Sequence, residues 1–167
     1  MAESIDKTPF EKIVEVFLTY GVEFLVIGGQ AETLYGSARV TFDVDVCYRR
    51  TEENLERLAS ALASINPTLR GAPPDLPFCL DARSLALGSN FTFTTDKGPL
   101  DLLGYLEPIG GYEEALINAE EMDLGIWSVK VLALDDLIRI KEHIQRPKDR
   151  DSLLHLLAIR KLRGESK

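Results

Sequence analysis

Thr41-Phe42-Asp43-Val44-Asp45-Val46 carries two carboxylates at i and i+2 in an apolar, β-rich run, and the first of them arrives fourteen residues after Gly28-Gly29. Alternate side chains of a strand share a face, so Asp43 and Asp45 are expected to point one way, while Val40, Phe42, Val44 and Val46 pack on the other. Asp is a poor strand former, and like charges this close repel. A divalent cation held at a phosphate would offset both costs, and that combination points toward nucleotide chemistry. The same alternation also suits any half-buried strand with its acids on the wet side.

Working outward, the preceding run 23–27 is short and β-branched and reads as a buried strand. Gly28-Gly29 and a short helical stretch over 30–35 follow, so backbone N–H groups stand where they would cradle a phosphate, although paired glycines after a strand also simply make turns. Upstream, Thr8, Pro9 and Glu11 form a capping box for a helix whose apolar face is Phe10, Ile13, Val14, Phe17 and Leu18, stopped at Gly21. Downstream, Thr51 caps a helix to about Ile65, and prolines 67, 73, 74 and 77 break regular structure across a long loop. One further helical turn is expected over 83–87.

Phe91-Thr92-Phe93-Thr94-Thr95, Asp96-Lys97-Gly98 and the run from Pro99 to Leu106 predict a hairpin. Asp101 lies in its second arm with Leu100 and Leu102 on the opposite face, and would complete a three-carboxylate cluster with Asp43 and Asp45. Asp96 and Asp81 compete for that role, the first from the turn and the second from a loop. A short helix over 112–119, a strand over 126–131 and a helix over 135–144 come next. The inward stripe of that helix is Leu134, Leu137, Ile138 and Ile144, and Lys141 falls within it, so its amine must reach a carboxylate, a phosphate or water. Arg146-Pro147-Lys148-Asp149-Arg150 opens a last helix packed through Leu153, Leu154, Leu156 and Leu157.

Composition bounds the partners. With 167 residues and 45% hydrophobic content, the chain is expected to form one domain over 1–167, with the helices from about 134 packed onto it. Its 27 acidic and 19 basic residues leave a net charge of −8, which argues against binding long duplex DNA but allows a local basic pocket. Cys47 and Cys79 are far apart in apolar settings and read as reduced thiols. No apolar run approaches the roughly 18 residues of a membrane span, and the first residues are acidic, so a cytoplasmic protein without membrane contact is expected.

Gly28-Gly29, then Arg39-x-Thr41-x-Asp43-x-Asp45, then Asp101 within Gly98-Pro99-Leu100-Asp101-Leu102-Leu103, resemble the nucleotidyltransferase superfamily that includes polymerase β. The closing stretch from Leu134 to Lys141, with Arg146 to Asp151, is similar to small prokaryotic members, including toxin-type enzymes of the abortive-infection class. The resemblance implies an α+β fold, a small mixed sheet with helices packed mainly on one side. It implies metal-dependent transfer of a nucleoside monophosphate from a nucleoside triphosphate such as ATP to an RNA, protein or small-molecule acceptor, with release of pyrophosphate. Asp43, Asp45 and Asp101 would be the catalytic and metal-holding acids, with magnesium or manganese as the ion. Gly28, Gly29, Arg39, Lys141 and Lys148 would bind the triphosphate. Transfer RNA, a protein hydroxyl and a cognate antitoxin become candidate partners. Many members have Gly-Ser at the phosphate loop, whereas this chain has Gly28-Gly29-Gln30 without a hydroxyl, and the alternative is a non-catalytic binding or regulatory module on the same fold.

Overall fold

The computed structural model describes residues 6–38, 41–73 and 80–164. Helix α1, Pro9–Thr19, starts at the expected capping box: the Glu11 N–H donates to Thr8 Oγ1 at 3.2 Å and the Thr8 N–H donates to Glu11 Oε1 at 3.2 Å. Phe10, Ile13, Val14 and Phe17 are buried, and the chain leaves the helix at Gly21 through the left-handed region, φ +71°.

Among the described residues, seven strands form one mixed sheet in the order β3-β4-β5-β2-β1-β7-β6. They are β1 Phe24–Ile27, β2 Val44–Tyr48, β3 Thr68–Leu69, β4 Asn90–Thr95, β5 Gly98–Leu103, β6 Glu120–Asp123 and β7 Ser128–Val131. Strand β2 runs antiparallel to β1, with Ile27 opposite Asp45, and parallel to β5, with Asp45 beside Asp101. All four residues of β1 are buried, as are Val44, Val46, Cys47 and Tyr48 of β2, so the centre of the sheet is covered on both faces. Burial, followed by the charges of Glu113 and Glu114, pushes the Cys47 thiol up to about 12, as suits an inert buried sulfur. Cys79 lies outside the described residues.

The helices are α2 Gly28–Leu34, α3 Glu52–Ala63, α4 Ala82–Leu87, α5 Tyr112–Leu116, α6 Leu134–Ile144 and α7 Arg150–Leu162, with a 3-10 turn at Pro147–Asp149. Asp81 caps α4, its carboxylate accepting from the Ser84 N–H at 2.7 Å, and Asp96 accepts from the Asn66 side chain, so both competitors for the third acid are engaged elsewhere. No helix among the described residues is long and apolar enough to cross a membrane.

Several local expectations change. Strand β2 starts at Val44, which leaves Asp43 just before the ladder and Phe42 70% exposed instead of packed. The reason is that β1 turns into α2 at Gly28, so pairing on that side ends at Ile27 opposite Asp45. Ile144 and Leu154 are also exposed; the first sits at the end of α6, where Gln145 takes a left-handed conformation. Helix α5 ends at Leu116, short of the expected 119. Strand β6, Glu-Glu-Met-Asp, was not legible as a strand, because an edge strand can carry charges into water while its backbone pairs with β7.

Asn54 joins these elements. It is buried, accepts from the Glu23 N–H at 2.7 Å, and donates to the Glu23 and Arg49 carbonyls at 3.0 and 2.7 Å, tying α3 to the entry of β1 and the exit of β2. Asn54→Leu keeps the volume but removes these partners, and is expected to cost about 2–4 kcal/mol in urea unfolding.

Candidate active site

The register of β2 and β5 fixes the heart of the site. Parallel neighbours in register place Asp45 and Asp101 side by side on one face, and the two share a cavity of about 600 Å³ with Asp43, Gly28, Gly29 and Thr41. Gly28 belongs there for a steric reason. A Cβ built on it would stand 2.3 Å from Asp45 Oδ2, and its φ of +65° favours glycine. At Gly29 a Cβ would meet the Thr41 methyl at 2.8 Å. The paired glycines therefore make room for the acid and its flanking loop, and they leave the first backbone N–H groups of α2 without side-chain cover.

Asp45 is held in an unfavourable state. Burial first, then the charges of Asp101 and Asp43, raise its carboxyl to about 6, and Arg70 offsets only part of this. Oδ1 of Asp45 is buried without a hydrogen-bond donor. Arg70 Nη1 lies 3.1 Å from Asp101 Oδ1, yet this oxygen also receives no hydrogen bond, so the contact is one of charge rather than of directed donation. Among the described residues no three His, Cys, Asp or Glu side chains stand grouped to enclose a metal ion. The closest association is the Asp45–Asp101 pair, with Asp43 more exposed at the cavity edge.

Across the cavity, α6 delivers the expected lysine. Lys141 is almost buried, and its amine donates to Asp149 Oδ1 at 2.8 Å and lies 3.3 Å from Oε2 of the fully buried Glu32. Arg146 Nε donates to the other Asp149 oxygen at 2.5 Å. Burial alone would push the Asp149 carboxyl up, but the hydrogen bonds and charges of Lys141 and Arg146 outweigh it and hold it below the usual range. Lys141 thus bridges internal acids, one of the outcomes its place in the stripe allowed. Lys148 is exposed and lines the same cavity. At the rim His143 Nε2 lies 3.5 Å from Glu107 Oε2. Arg39 lies outside the described residues.

Of the residues named from sequence, Asp43, Asp45, Asp101, Gly28, Gly29, Lys141 and Lys148 line one cavity. Sequence reasoning missed Glu32, Asp149 and Arg70. An amine inside an apolar stripe implies an acid partner, and this was the available signal for Glu32 and Asp149. Arg70 had none, because it sits in the Pro- and Gly-rich stretch where local pattern says nothing about distant contacts.

Comparison with known proteins agrees with this architecture. No protein-family model matches the sequence, and no curated protein matches it. Among solved structures, that of the lincosamide antibiotic adenylyltransferase LnuA with lincomycin bound is similar, with a TM-score of 0.61 over 94% of this chain and 99% of that one, at 12% identity. The chain has the nucleotidyltransferase fold.

Two outcomes follow from the charges. Because the folded value of Asp45 lies above its ordinary 3.8, its ionisation opposes folding at neutral pH; the penalty is full above about 6 and fades as the pH falls toward 4. Asp45→Asn is therefore expected to raise the stability of the protein without added metal at pH 7.5, by at most about 3 kcal/mol, with the gain shrinking through pH 6 in thermal melts. Lys141→Met should act in the opposite direction, costing about 3 kcal/mol in urea unfolding, since it strands the buried carboxylates of Glu32 and Asp149.

Proposed function

We propose that this protein is a nucleotidyltransferase, which moves a nucleoside monophosphate from a nucleoside triphosphate to an acceptor hydroxyl. The observation that carries the reading is the Asp45–Asp101 pair, in register on adjacent strands, packed against Gly28 and facing a cavity large enough for a nucleotide. Crowded carboxylates whose Oδ1 atoms are buried without a hydrogen-bond donor are costly for folding alone, and a divalent cation is the group that would use them. The donor set, all carboxylate oxygen, suits magnesium or manganese; the Asp45–Asp101 pair would hold it, with Asp43 lining the same cavity as the third acid. When bound, such an ion neutralises phosphate charge and lowers the pKa of an attacking hydroxyl.

The protein's own groups have separate tasks in this mechanism. Gly28 and Gly29 admit the triphosphate to the backbone N–H groups of α2, and Lys148 supplies a cation on the other wall. Asp101 accepts the proton of the acceptor hydroxyl. The hydroxyl oxygen forms its bond to the α-phosphorus while the bond from that phosphorus to the bridging oxygen breaks, and pyrophosphate leaves. Lys141, engaged by Glu32 and Asp149, ties α6 to the helix that begins at Gly28, so the chain from 134 onward works as part of the same catalytic unit.

ATP is the first donor to test, since the similar fold belongs to an adenylyltransferase. A small hydroxylated molecule is the acceptor class we favour, because Leu103, Leu106, Leu137 and Ile140 give the cavity an apolar side and a net charge of −8 favours no long polyanion. A transfer-RNA end or a protein hydroxyl is the second acceptor class, and an antitoxin partner would accompany it. The prior engagement of Lys141 also suits a non-catalytic module, which would bind no triphosphate. Wild-type protein given labelled ATP, magnesium and pools of hydroxylated small molecules, RNA or protein is expected to transfer label and release pyrophosphate. Asp45→Asn should reduce this roughly 100-fold or more while remaining folded. Failure of the wild type to bind any triphosphate with magnesium would refute the enzyme.

A further inference from the structure

We infer that Arg70 is a positioning residue for Asp101, delivered across the width of a strand by the edge strand β3. This rests on the reading that Asp101 serves the acceptor hydroxyl. Strand β3 has only two residues, Thr68 opposite Thr94 and Leu69 opposite Phe93, and the Arg70 N–H continues the pairing by donating to the Thr92 carbonyl at 2.9 Å. Thr92 in turn lies opposite Asp101, and Asp101 beside Asp45. The pleat therefore sets Arg70, Thr92, Asp101 and Asp45 in one row on one face, in four successive positions across the sheet.

Two inter-strand spacings, about 10 Å, separate the backbone of Arg70 from that of Asp101. The long side chain crosses that gap, and the threonine between them is small enough to be passed over. At its far end the guanidinium makes one hydrogen bond and one charge contact. Nη2 donates to the Phe93 carbonyl at 2.5 Å, and Nη1 stands 3.1 Å from Asp101 Oδ1. A planar fork with one prong on a backbone carbonyl holds the other at a set place, which a lysine amine cannot reproduce.

Arg70 does not line the cavity, so it stands behind Asp101 rather than against substrate. Its contact with Oδ1 lacks hydrogen-bond geometry, which leaves the accepting capacity of that oxygen free for a ligand. Arg70 thus supplies a fixed positive charge that steadies one of two crowded carboxylates. It also competes with any cation that enters between them. These two effects have opposite signs when the charge is removed, and that separates positioning from simple structural support.

The test compares wild type, Arg70→Met and Arg70→Lys, each checked for folding by circular dichroism. Mn2+ binding to the nucleotide-free protein is measured by calorimetry, and kcat and KM for ATP with the acceptor found above. Arg70→Met is expected to bind Mn2+ roughly fivefold more tightly, because one competing charge worth about 1 kcal/mol is gone. Its kcat should fall about tenfold with KM for ATP within about twofold of wild type. Arg70→Lys should return Mn2+ affinity toward wild type and recover only part of kcat. Unchanged or weaker Mn2+ binding in folded Arg70→Met overturns the inference, as does a wild-type kcat. A wild type that binds Mn2+ but transfers no label refutes the proposed reaction instead, and the Mn2+ comparison still decides whether Arg70 acts on Asp101.

Discussion

The crowding of Asp45 against Asp101 is the constraint around which the rest of the structure is arranged. Their strands are parallel and in register, so the side chains cannot part by sliding without turning every neighbour to the wrong face. Burial then raises the cost of charge on Asp45 instead of relieving it. The glycine opposite, Gly28, presents no Cβ to push the carboxylate away, and Arg70 returns only part of the lost solvation. A stability-driven design would place apolar or singly charged residues in this row. Under the proposed function, a cation and a phosphate would complete the site and account for keeping both acids there.

The opposite wall solves its charge problem internally. Glu32, Lys141, Asp149 and Arg146 alternate in sign, two acids with two bases, and join α2, α6 and the turn before α7. Neutrality within the cluster permits the burial of Glu32, Lys141 and Asp149, while Arg146 stays half-exposed at its edge. One wall is thus electrostatically incomplete and the other complete. In the proposed reaction a metal-bound triphosphate would meet the incomplete side, while the complete side holds the cavity's shape.

The supporting sheet explains how both walls face each other. Strands β1 and β2 are buried centrally, and the loop-to-helix turn at Gly28 interrupts β1 where Asp45 needs space. Edge strands do different work. Charged β6 closes one side in water, and the two-residue β3 closes the other while carrying Arg70 to its row.

Local chemistry determined much of this protein from sequence. The Thr8 capping box, the hairpin of β4 and β5, the apolar stripe of α6 and the outward face of Asp101 all follow from interactions between residues a few positions apart, and such interactions repeat in any context. The resemblance of the Gly28-Gly29, Asp43-x-Asp45 and Asp101 pattern carried the fold. What only the tertiary structure decided is pairing over distance: which acid would meet Lys141, that Arg70 would cross β4, and that Phe42 would lie in water because β1 offers it no partner. The physical reason is the same in each instance. A side chain's period places it on a face, but its charge or apolar surface finds a partner only through strand order and register, and those belong to the whole chain.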